Sequence, residues 1–361
     1  MSVTIRDVAK AAGVSLKTVS RVINDERWVH ADTRERVMQA VKALDFHPNP
    51  LARSLVTRQT RTLGLVVPDV ANPFFARGID GCVASAEQRG YNIFLSSAGD
   101  DPDREARQVQ ALLAQHISGL ILWVSNLADE DLEGMMQRMQ HTCPVVFIDR
   151  PSDPTRALAI PHACVLVAQG YVGSLATEHL LNEGRRRIAY VGVRGAGAGG
   201  WVADQRFGGY EDALASRDEL SQDRWVRWVE HATIREGVIA TATLLAQRPL
   251  PDAIFAYNDL LAVGALQACR RARARVPDDV AIVGVDDTEM AAVTHPPLTT
   301  IRLHQQHTGA RATALALALI EGDMPPAVNP ALQLPDLIVR RSSTARLPDG
   351  NVPDEGEDVV D

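Results

Sequence analysis

The sequence lacks the features of a membrane protein and of a disulfide-stabilised secreted protein. No apolar run in its 361 residues approaches the roughly 18 residues of a membrane-spanning helix. The chain does not open with a charged segment followed by an apolar one, as a secretory leader would. The cysteines show no C-x-x-C spacing, so we expect buried free thiols at Cys82, Cys143, Cys164 and Cys269. These absences indicate a soluble, cytoplasmic protein.

Groups of residues that would carry catalysis are also missing. We find no nucleophile with a base and no metal cluster; only His304 and His307 have a ligand-like spacing, which is more typical of a polar helix start. The run Gly195 to Gly200 satisfies the G-x-G-x-x-G pattern of dinucleotide-binding proteins. It falls outside a first βαβ unit, however, and no clear ribose-binding acid follows it. We therefore expect that the protein is not an enzyme and that it binds no cofactor and no metal. A redox enzyme is the alternative that the glycine run suggests.

Positive charge is concentrated at the amino-terminal end. Residues 1–61 carry 11 Lys and Arg against 6 Asp and Glu, a net charge of +5, whereas the whole chain carries −8. That difference leaves −13 for residues 62–361. A basic head on an acidic body is typical of a protein whose head meets phosphate and whose body does not.

The first 24 residues predict two short helices joined by a tight turn. Thr4 can cap the first helix, Gly13 stands where the chain must turn, and Ser15 can cap the second helix. Val19 and Val22 of the second helix face inward, and its outward face carries Leu16, Lys17, Ser20 and Arg21. An exposed helix start of this composition is the pattern that a helix-turn-helix inserts into a DNA major groove. A surface αα-hairpin is the alternative.

A third helix and a short segment complete the predicted head. The helix is expected from about Asp32 to Leu44, and Pro48 and Pro50 break the chain after it. Residues 51–58 follow as a segment of helical type that is too short to stay helical alone in water.

Beyond residue 61, strand-like and helix-like segments alternate in two successive series. The first series has strands at 62–68, 91–96, 119–123 and 145–149, with helices at 75–90 and 104–116. The second has strands at 187–192, 253–256 and 280–284, with helices at 176–182, 207–216 and 260–273. Such alternation implies parallel sheets covered on both faces, and two series imply two similar lobes.

Polar and aromatic residues follow these strands at their carboxyl ends, where open α/β sheets bind ligands. They are Asp69, Asn72, Phe74, Phe75, Trp123, Ser125 and Asp149 in the first series, and Arg206, Asn258 and Asp286 in the second. Asp, Asn and Arg can each hold vicinal hydroxyls through two hydrogen bonds, and aromatic faces can stack on a sugar ring. A helix cap is the alternative role for Asp149, Asn258 and Asp286.

Three segments of the sequence resemble the LacI/GalR family of transcriptional regulators, and the resemblance covers nearly the whole chain. They are TIRDVAKAAGVSLKTVSRVIN at 4–24, NPLARSL at 49–55 and IVGVDDTEMAAVTHPPLTTI at 282–301. The resemblance implies a small all-α helix-turn-helix head at 1–47, a hinge helix and linker at 48–61, and an α/β body at 62–345. That body would consist of two doubly wound parallel-sheet lobes of periplasmic-binding-protein type.

In this architecture the chain crosses between the lobes three times, near residues 166, 297 and 325. Lobe 1 would comprise residues 62–165 and 297–324, and lobe 2 would comprise residues 166–296 and 325–345. The remaining residues, 346–361, are acidic and contain Pro and Gly, so we expect a disordered tail.

The resemblance also assigns DNA contacts residue by residue. Base edges would be met by Leu16, Lys17 and Arg21. Phosphates would be met by Thr4, Ser15, Thr18, Ser20 and Asn24. In the hinge, Leu55 would wedge into the minor groove beside Ala52 and Arg53, and a plain core leucine is the alternative for Leu55.

For the body, the resemblance implies an effector pocket that contains Phe74, Phe75, Asp149, Arg206, His231, Asn258 and Asp286. It implies a homodimeric repressor that binds a palindromic operator. A small effector, a sugar or nucleoside-like compound, would release this repressor from the operator or recruit it there. A two-lobe sugar-binding protein or enzyme without DNA regulation is the alternative. Many family members carry Asp-Asn where Ala168-Gln169 stands, which leaves the contacts at that crossing open.

Overall fold

The computed structural model describes residues 3–23, 28–46, 60–99, 101–150, 158–195, 197–217, 225–323 and 331–344. The chain divides near residue 60 into two compact units, a small head and a large body. The predicted hinge residues Ala52, Arg53 and Leu55, together with Asn24 and the acidic tail, lie outside the described residues.

The head is built from three helices, α1 (Ile5–Ala12), α2 (Leu16–Ile23) and α3 (Ala31–Ala43). They pack around a small apolar core in which Val8, Val19 and Val37 are fully buried. The start of α1 is fixed by a capping box, because the Thr4 backbone N–H and hydroxyl donate to the Asp7 carboxylate at 2.9 and 2.7 Å. These hydrogen bonds lower the pKa of Asp7. Gly13 ends α1 with a left-handed φ of 65°, so the predicted helix-turn-helix is confirmed.

Lobe 1 of the body is a six-stranded sheet in the order β11-β5-β4-β3-β1-β2, and all its strand pairs are parallel. Its strands are β1 (Thr62–Val67), β2 (Asn92–Ser97), β3 (Gly119–Trp123), β4 (Val145–Ile148), β5 (His162–Val167) and β11 (Ala331–Gln333). Its helices are α4 (Pro73–Gln88), α5 (Pro102–Ala114), α6 (Asp129–Arg138) and α12 (Gln305–Glu321). Strands β1, β3 and β4 are buried throughout, as strands covered on both faces must be.

Lobe 2 repeats this architecture in the order β12-β10-β9-β8-β6-β7. Its strands are β6 (Ile188–Val193), β7 (Val226–Val229), β8 (Ala253–Ala256), β9 (Ala281–Val285), β10 (Thr299–Arg302) and β12 (Asp336–Ile338). Its helices are α7 (Gln169–Asn182), α8 (Gly197–Ala215), α9 (Ile234–Leu245), α10 (Asp259–Ala272) and α11 (Glu289–Val293). Among the strands that the structure describes in this lobe, only the short β12 departs from the parallel pattern, since it pairs antiparallel with β10. The predicted fold class, a helical head and two parallel-sheet lobes, is confirmed.

The chain crosses between the lobes three times, but two of the crossings lie later than predicted. The first falls at Ala168, between β5 and α7. The second falls at Leu303 and His304 rather than near 297, because β10 pairs with β9 and therefore belongs to lobe 2. The third falls at 334–335 rather than near 325, because β11 pairs with β5 and belongs to lobe 1. The predicted lobe boundaries at 297 and 325 are corrected accordingly.

Close helix crossings hold each lobe together. Helices α7 and α8 approach so closely that a Cβ atom at Gly209 would overlap the carbonyl oxygen of Gly170, and one at Gly173 would overlap that of Arg206. Only glycine allows this approach, and it brings the start of α7 against the middle of α8.

The four cysteines are buried thiols, as predicted. No helix in the described part of the chain is long and apolar enough to cross a membrane.

Candidate functional site

Helix α2 presents an exposed polar face on the head. Val19 and Val22 bury its inner side, while Leu16 is 44% exposed and Lys17 and Arg21 are exposed. Contact with water is unfavourable for the apolar side chain of Leu16 at the helix start, and burial in a DNA groove would remove this contact. The structure thus brings the three predicted base-contact residues to one surface.

The predicted phosphate-contact residues lie around the start of the same helix. The Ser15 hydroxyl accepts a hydrogen bond from the Thr18 backbone N–H at 3.1 Å, which makes Ser15 the cap of α2. The Ser15 and Thr18 hydroxyls are 2.9 Å apart. Thr4 caps α1, and Ser20 is half-buried. Thr4, Ser15 and Thr18 thus take part in hydrogen bonds within the head. The contacts of all these residues with phosphate stay a prediction.

In the body, a cavity of about 530 Å³ lies where the carboxyl ends of strands from both lobes meet. Nine of the predicted effector residues line it: Asp69, Asn72, Phe74, Phe75, Asp149, Arg206, His231, Asn258 and Asp286. Their convergence from distant parts of the chain is what a ligand site at strand ends requires.

Two predicted effector residues stand behind the cavity wall instead of in it. Trp123 is 2% exposed, and its ring packs edge-on against Phe74 and Phe75 at centroid distances of 5.8 and 5.6 Å. Ser125 is 1% exposed, and its hydroxyl accepts the Leu127 backbone N–H at 3.3 Å. The strand end that carries both turns its side chains into lobe 1, so we correct both predictions: Trp123 supports the aromatic wall, and Ser125 shapes the loop.

Arg206 lines the cavity together with Asp149 and Asp286, and we call these three residues the cavity base. Arg206 is 4% exposed; its Nε donates to the Gln169 side-chain oxygen at 2.8 Å, and its Nη1 donates to the Tyr257 carbonyl at 2.6 Å. Its guanidinium also lies over the Tyr257 ring, 4.5 Å from the centroid. The resulting cation is fixed in position and nearly free of bulk water, so its electrostatic effect on neighbours is large.

Two buried acids face this arginine from opposite lobes. Burial raises the pKa of Asp149 to about 6. This rise is opposed by hydrogen bonds from the Val167 N–H and the Gln169 amide and by the charge of Arg206, which lower the pKa. Burial also raises the pKa of Asp286 well above its usual range, again opposed by Arg206. Both residues have left-handed backbone angles, with φ of 52° and 116°. Raised pKa values and local strain together are typical of ligand sites.

The alternative cap role holds for some of the polar residues and not for others. Asn258 caps α10, since its side chain accepts the Leu261 N–H at 3.0 Å, and Asn72 caps α4 by accepting the Phe74 N–H at 3.0 Å. Both still line the cavity. Asp149 instead accepts the Val167 N–H at 2.8 Å across the sheet, so it is not a cap.

Other residues of the cavity were missed from the sequence. The polar ones are Asn126, Gln169, Arg194, Glu230 and Thr233, and Tyr257 adds an aromatic ring. Arg194 and Glu230 directly follow strands β6 and β7, so the strand-end rule could have found them had β7 been predicted. Gln169 stands two residues after strand β5, which was not predicted either.

The glycine run lies at this cavity as well. Helix α8 begins at Gly197, and Gly199 lines the cavity wall. Gly195 and Gly200 approach so closely that neither has room for a side chain. Steric demands of the loop therefore account for these glycines without a dinucleotide.

A helix-turn-helix head joined to a two-lobe body with a polar cavity defines a DNA-binding regulator with a small-molecule domain. Residues 4–49 match the family described as "Bacterial regulatory proteins, lacI family", and residues 177–344 match the "Periplasmic binding protein-like domain". The ribose operon repressor of Bacillus subtilis (strain 168) is 32% identical over 95% of this chain and 99% of its own length.

Two solved structures extend the similarity to three dimensions. The lac repressor dimer bound to operator and the anti-inducer ONPF has a TM-score of 0.82 and 28% identity, over 96% of this chain and 100% of that one. The complex of the transcriptional regulator CelR with cellobiose has a TM-score of 0.67 and 31% identity, over 94% and 99%. The chain belongs to the LacI family. It is a DNA-binding transcriptional regulator of the repressor type, and these relatives are not enzymes.

Proposed function

We propose that this protein represses transcription as a homodimer on a palindromic operator and that a sugar or sugar derivative bound between its lobes releases it. The observation that carries the proposal is the pairing of two surfaces in one chain: the exposed basic face of α2 and the polar cavity around Arg206. Such a protein works where the DNA is, so we expect it in the cytoplasm.

On DNA, the outward face of α2 would read bases in the major groove. Arg21 can donate to O6 and N7 of one guanine, Lys17 can do so less rigidly, and Leu16 can contact a thymine methyl. Thr4, Ser15, Thr18, Ser20 and Asn24 would fix the register on the phosphates. The hinge residues Ala52, Arg53 and Leu55 would enter the minor groove at the operator centre.

A second copy of the chain is needed to read a palindrome, and lobe 1 offers a surface for it. Strand β2 is the edge of the lobe 1 sheet, and it leaves Phe94 45% and Leu95 44% exposed. An apolar edge strand open to water promotes association. The relative bound to operator is itself a dimer, which supports the same assembly here.

The chemistry of the cavity favours a polyhydroxyl effector. Asp149, Asp286 and Asn258 offer oxygens that accept hydrogen bonds from hydroxyls, Arg206 offers donors, and the rings of Phe74 and Phe75 offer an apolar wall. The relatives point the same way: one is a ribose operon repressor, and another is complexed with cellobiose. Effector and operator would each weaken binding of the other by the same factor, since coupling is reciprocal.

Selection of binding sites from random duplex DNA, with and without D-ribose or cellobiose, tests the proposal. We expect a palindrome to be enriched without sugar and to be lost when one sugar is added. Failure to enrich any sequence would contradict the DNA-binding role. Enrichment that neither sugar changes would contradict the two effectors named here.

Substitution of the α2 face provides a sharper test of base reading. Lys17→Ala should change the preferred base at one position of each half-site and cost about 1–3 kcal/mol on the original operator. Lys42→Ala, in the last turn of α3, is the control and should leave base preference unchanged. Weakening by Lys17→Ala that is equal on all sequences would make Lys17 a phosphate contact.

A further inference from the structure

The first crossing between the lobes carries a side chain that touches charged groups of both. Gln169 is the first residue of α7, directly after Ala168, and it is 2% exposed. Its side-chain oxygen accepts the Nε–H of Arg206 in lobe 2 at 2.8 Å. Its amide group acts as a hydrogen-bond donor that lowers the pKa of Asp149 in lobe 1. One neutral side chain thus connects an acid of one lobe to a base of the other.

The orientation of this amide is fixed by its partners. An arginine Nε–H can only donate, and an ionised carboxylate can only accept. Gln169 must therefore turn its oxygen to Arg206 and its NH₂ to Asp149. Nε and one N–H of Nη1 are committed to Gln169 and Tyr257, which leaves the second N–H of Nη1 and both of Nη2 as further donors of Arg206. Asp149 receives the Val167 N–H on Oδ1 and retains further acceptor positions.

We propose that Gln169 is a positioning residue of the effector site, whose carboxamide joins Asp149 to Arg206 and sets the orientation in which both meet an effector. The inference rests on the proposed effector role of the cavity. Separation of the two charges by an amide has a direct consequence: Asp149 and Arg206 do not neutralise each other in a bidentate pair. Each keeps hydrogen-bonding capacity for ligand hydroxyls, and one side chain orients both of the charged groups that an effector would meet.

The variant Gln169→Glu isolates the amide donor because it preserves size and shape. At pH 8 the new carboxylate would repel Asp149 and draw Arg206 toward itself. At low pH the two facing carboxyls would share a proton, and the protonated one would replace the amide as donor. Other charges of the cavity are the same in both proteins: Arg206 and Asp286 at its base, and Asp69, Arg194, Glu230 and His231 on its walls.

A matched control exists on the surface. The Gln306 amide donates to the Asp80 carboxylate at 3.4 Å, between α12 and α4, where both residues are exposed. Gln306→Glu therefore places the same chemical change beside a carboxylate in water, which screens it.

The experiment compares wild type, Gln169→Glu and Gln306→Glu between pH 5.5 and pH 8. Calorimetry with D-ribose and with cellobiose measures affinity, and thermal unfolding measures each ligand-free protein. We expect Gln169→Glu to match wild type at pH 5.5 and to lose at least about tenfold in sugar affinity at pH 8, as expected for one lost charge-assisted hydrogen bond. Its unfolding temperature should fall below that of wild type over the same range, while Gln306→Glu follows wild type throughout.

Three results would overturn the proposal. If the unfolding of Gln169→Glu follows wild type at every pH, the amide donor is not used. If unfolding changes but sugar affinity at pH 8 does not, the bridge supports the fold without positioning the site. If wild type binds neither sugar, the sugar part of the proposed function fails separately. Crystal structures of both proteins at pH 8 then decide, and an unmoved Arg206 guanidinium refutes the positioning role.

Discussion

Replacement of Arg206 by leucine should reveal the charge balance at the base of the cavity. The change removes two hydrogen bonds, to the Gln169 side chain and the Tyr257 carbonyl, and leaves both acceptors buried. It also removes the cation that lowers the pKa of Asp149 and of Asp286. The first loss is independent of pH, whereas the second is not.

The magnitude follows from these two parts. Buried acceptors without a donor cost about 1–3 kcal/mol, so we expect a loss of about 2 kcal/mol in unfolding free energy at pH 5, where the acids can hold protons. Without Arg206 the folded-state pKa of each acid rises further. A raised folded-state pKa means that the folded state binds protons more tightly than the unfolded state, so stability is lost as pH rises. In Arg206→Leu this loss therefore continues to higher pH than in wild type. At pH 8 the total should reach about 4 kcal/mol, as for a broken buried ion pair.

Chemical denaturation at pH 5 and pH 8 measures both parts, with Arg194→Leu as the control. Arg194 lines the same cavity but is exposed, so its loss should stay within about 0.5 kcal/mol at either pH. Operator release by the selected sugar should disappear in Arg206→Leu while operator binding remains. A destabilisation by Arg206→Leu that is equal at both pH values would refute the assignment of Arg206 as the partner of the two acids.

The other predictions concern local packing and caps. Gly208→Ala should stabilise the body by about 0.5–1 kcal/mol, because the added Cβ of this α8 residue meets open space. The neighbouring substitution Gly209→Ala should destabilise the body by about 1–3 kcal/mol, because the added Cβ would overlap the Gly170 carbonyl. Thermal unfolding measures both variants, and a stability change of the same sign in the two would contradict the α7–α8 crossing. Ser15→Ala should cost the head about 1 kcal/mol through the lost α2 cap, measured by unfolding of the head, and an unchanged midpoint would argue against the cap.

The sequence was sufficient to predict the parts of the fold that carry a strong local pattern. The segments that form β1, β3 and β4 are largely apolar, and the helix caps and the turn glycine of the head can be identified from the sequence. Strand β7 was missed because it is a four-residue edge strand that carries Arg227 and Trp228. Helix α12 was missed because Ala314 and Ala318 stand on its exposed or half-exposed side, so that no polar stripe marks the second half of the helix.

The cavity shows the same division between local and tertiary information. Asp149, Asn258 and Asp286 could be predicted because they follow strands, whose carboxyl ends converge in any parallel sheet. Trp123 follows the same rule and yet lies behind Phe74 and Phe75, because the sequence does not state the direction of a side chain at a bent strand end. Gln169 follows β5, which was not predicted, and its contact with Arg206 depends on the packing of α7 against α8, which is a tertiary property.

The proposed effector would act on the spacing of the lobes through the base of the cavity more than through its aromatic wall. Asp149 of lobe 1 and Asp286 of lobe 2 are buried, have raised pKa values and adopt left-handed backbone angles, and each of these is unfavourable for the folded state. Arg206 offsets part of this cost but faces both acids with a single guanidinium. A ligand whose hydroxyls donate to the two carboxylates would offset the rest, and it can reach both only at one spacing of the lobes. The free energy of binding therefore depends on that spacing, which is the differential affinity that a conformational switch requires. Phe74 and Phe75 both belong to lobe 1, so stacking on them alone would favour no particular arrangement of the two lobes.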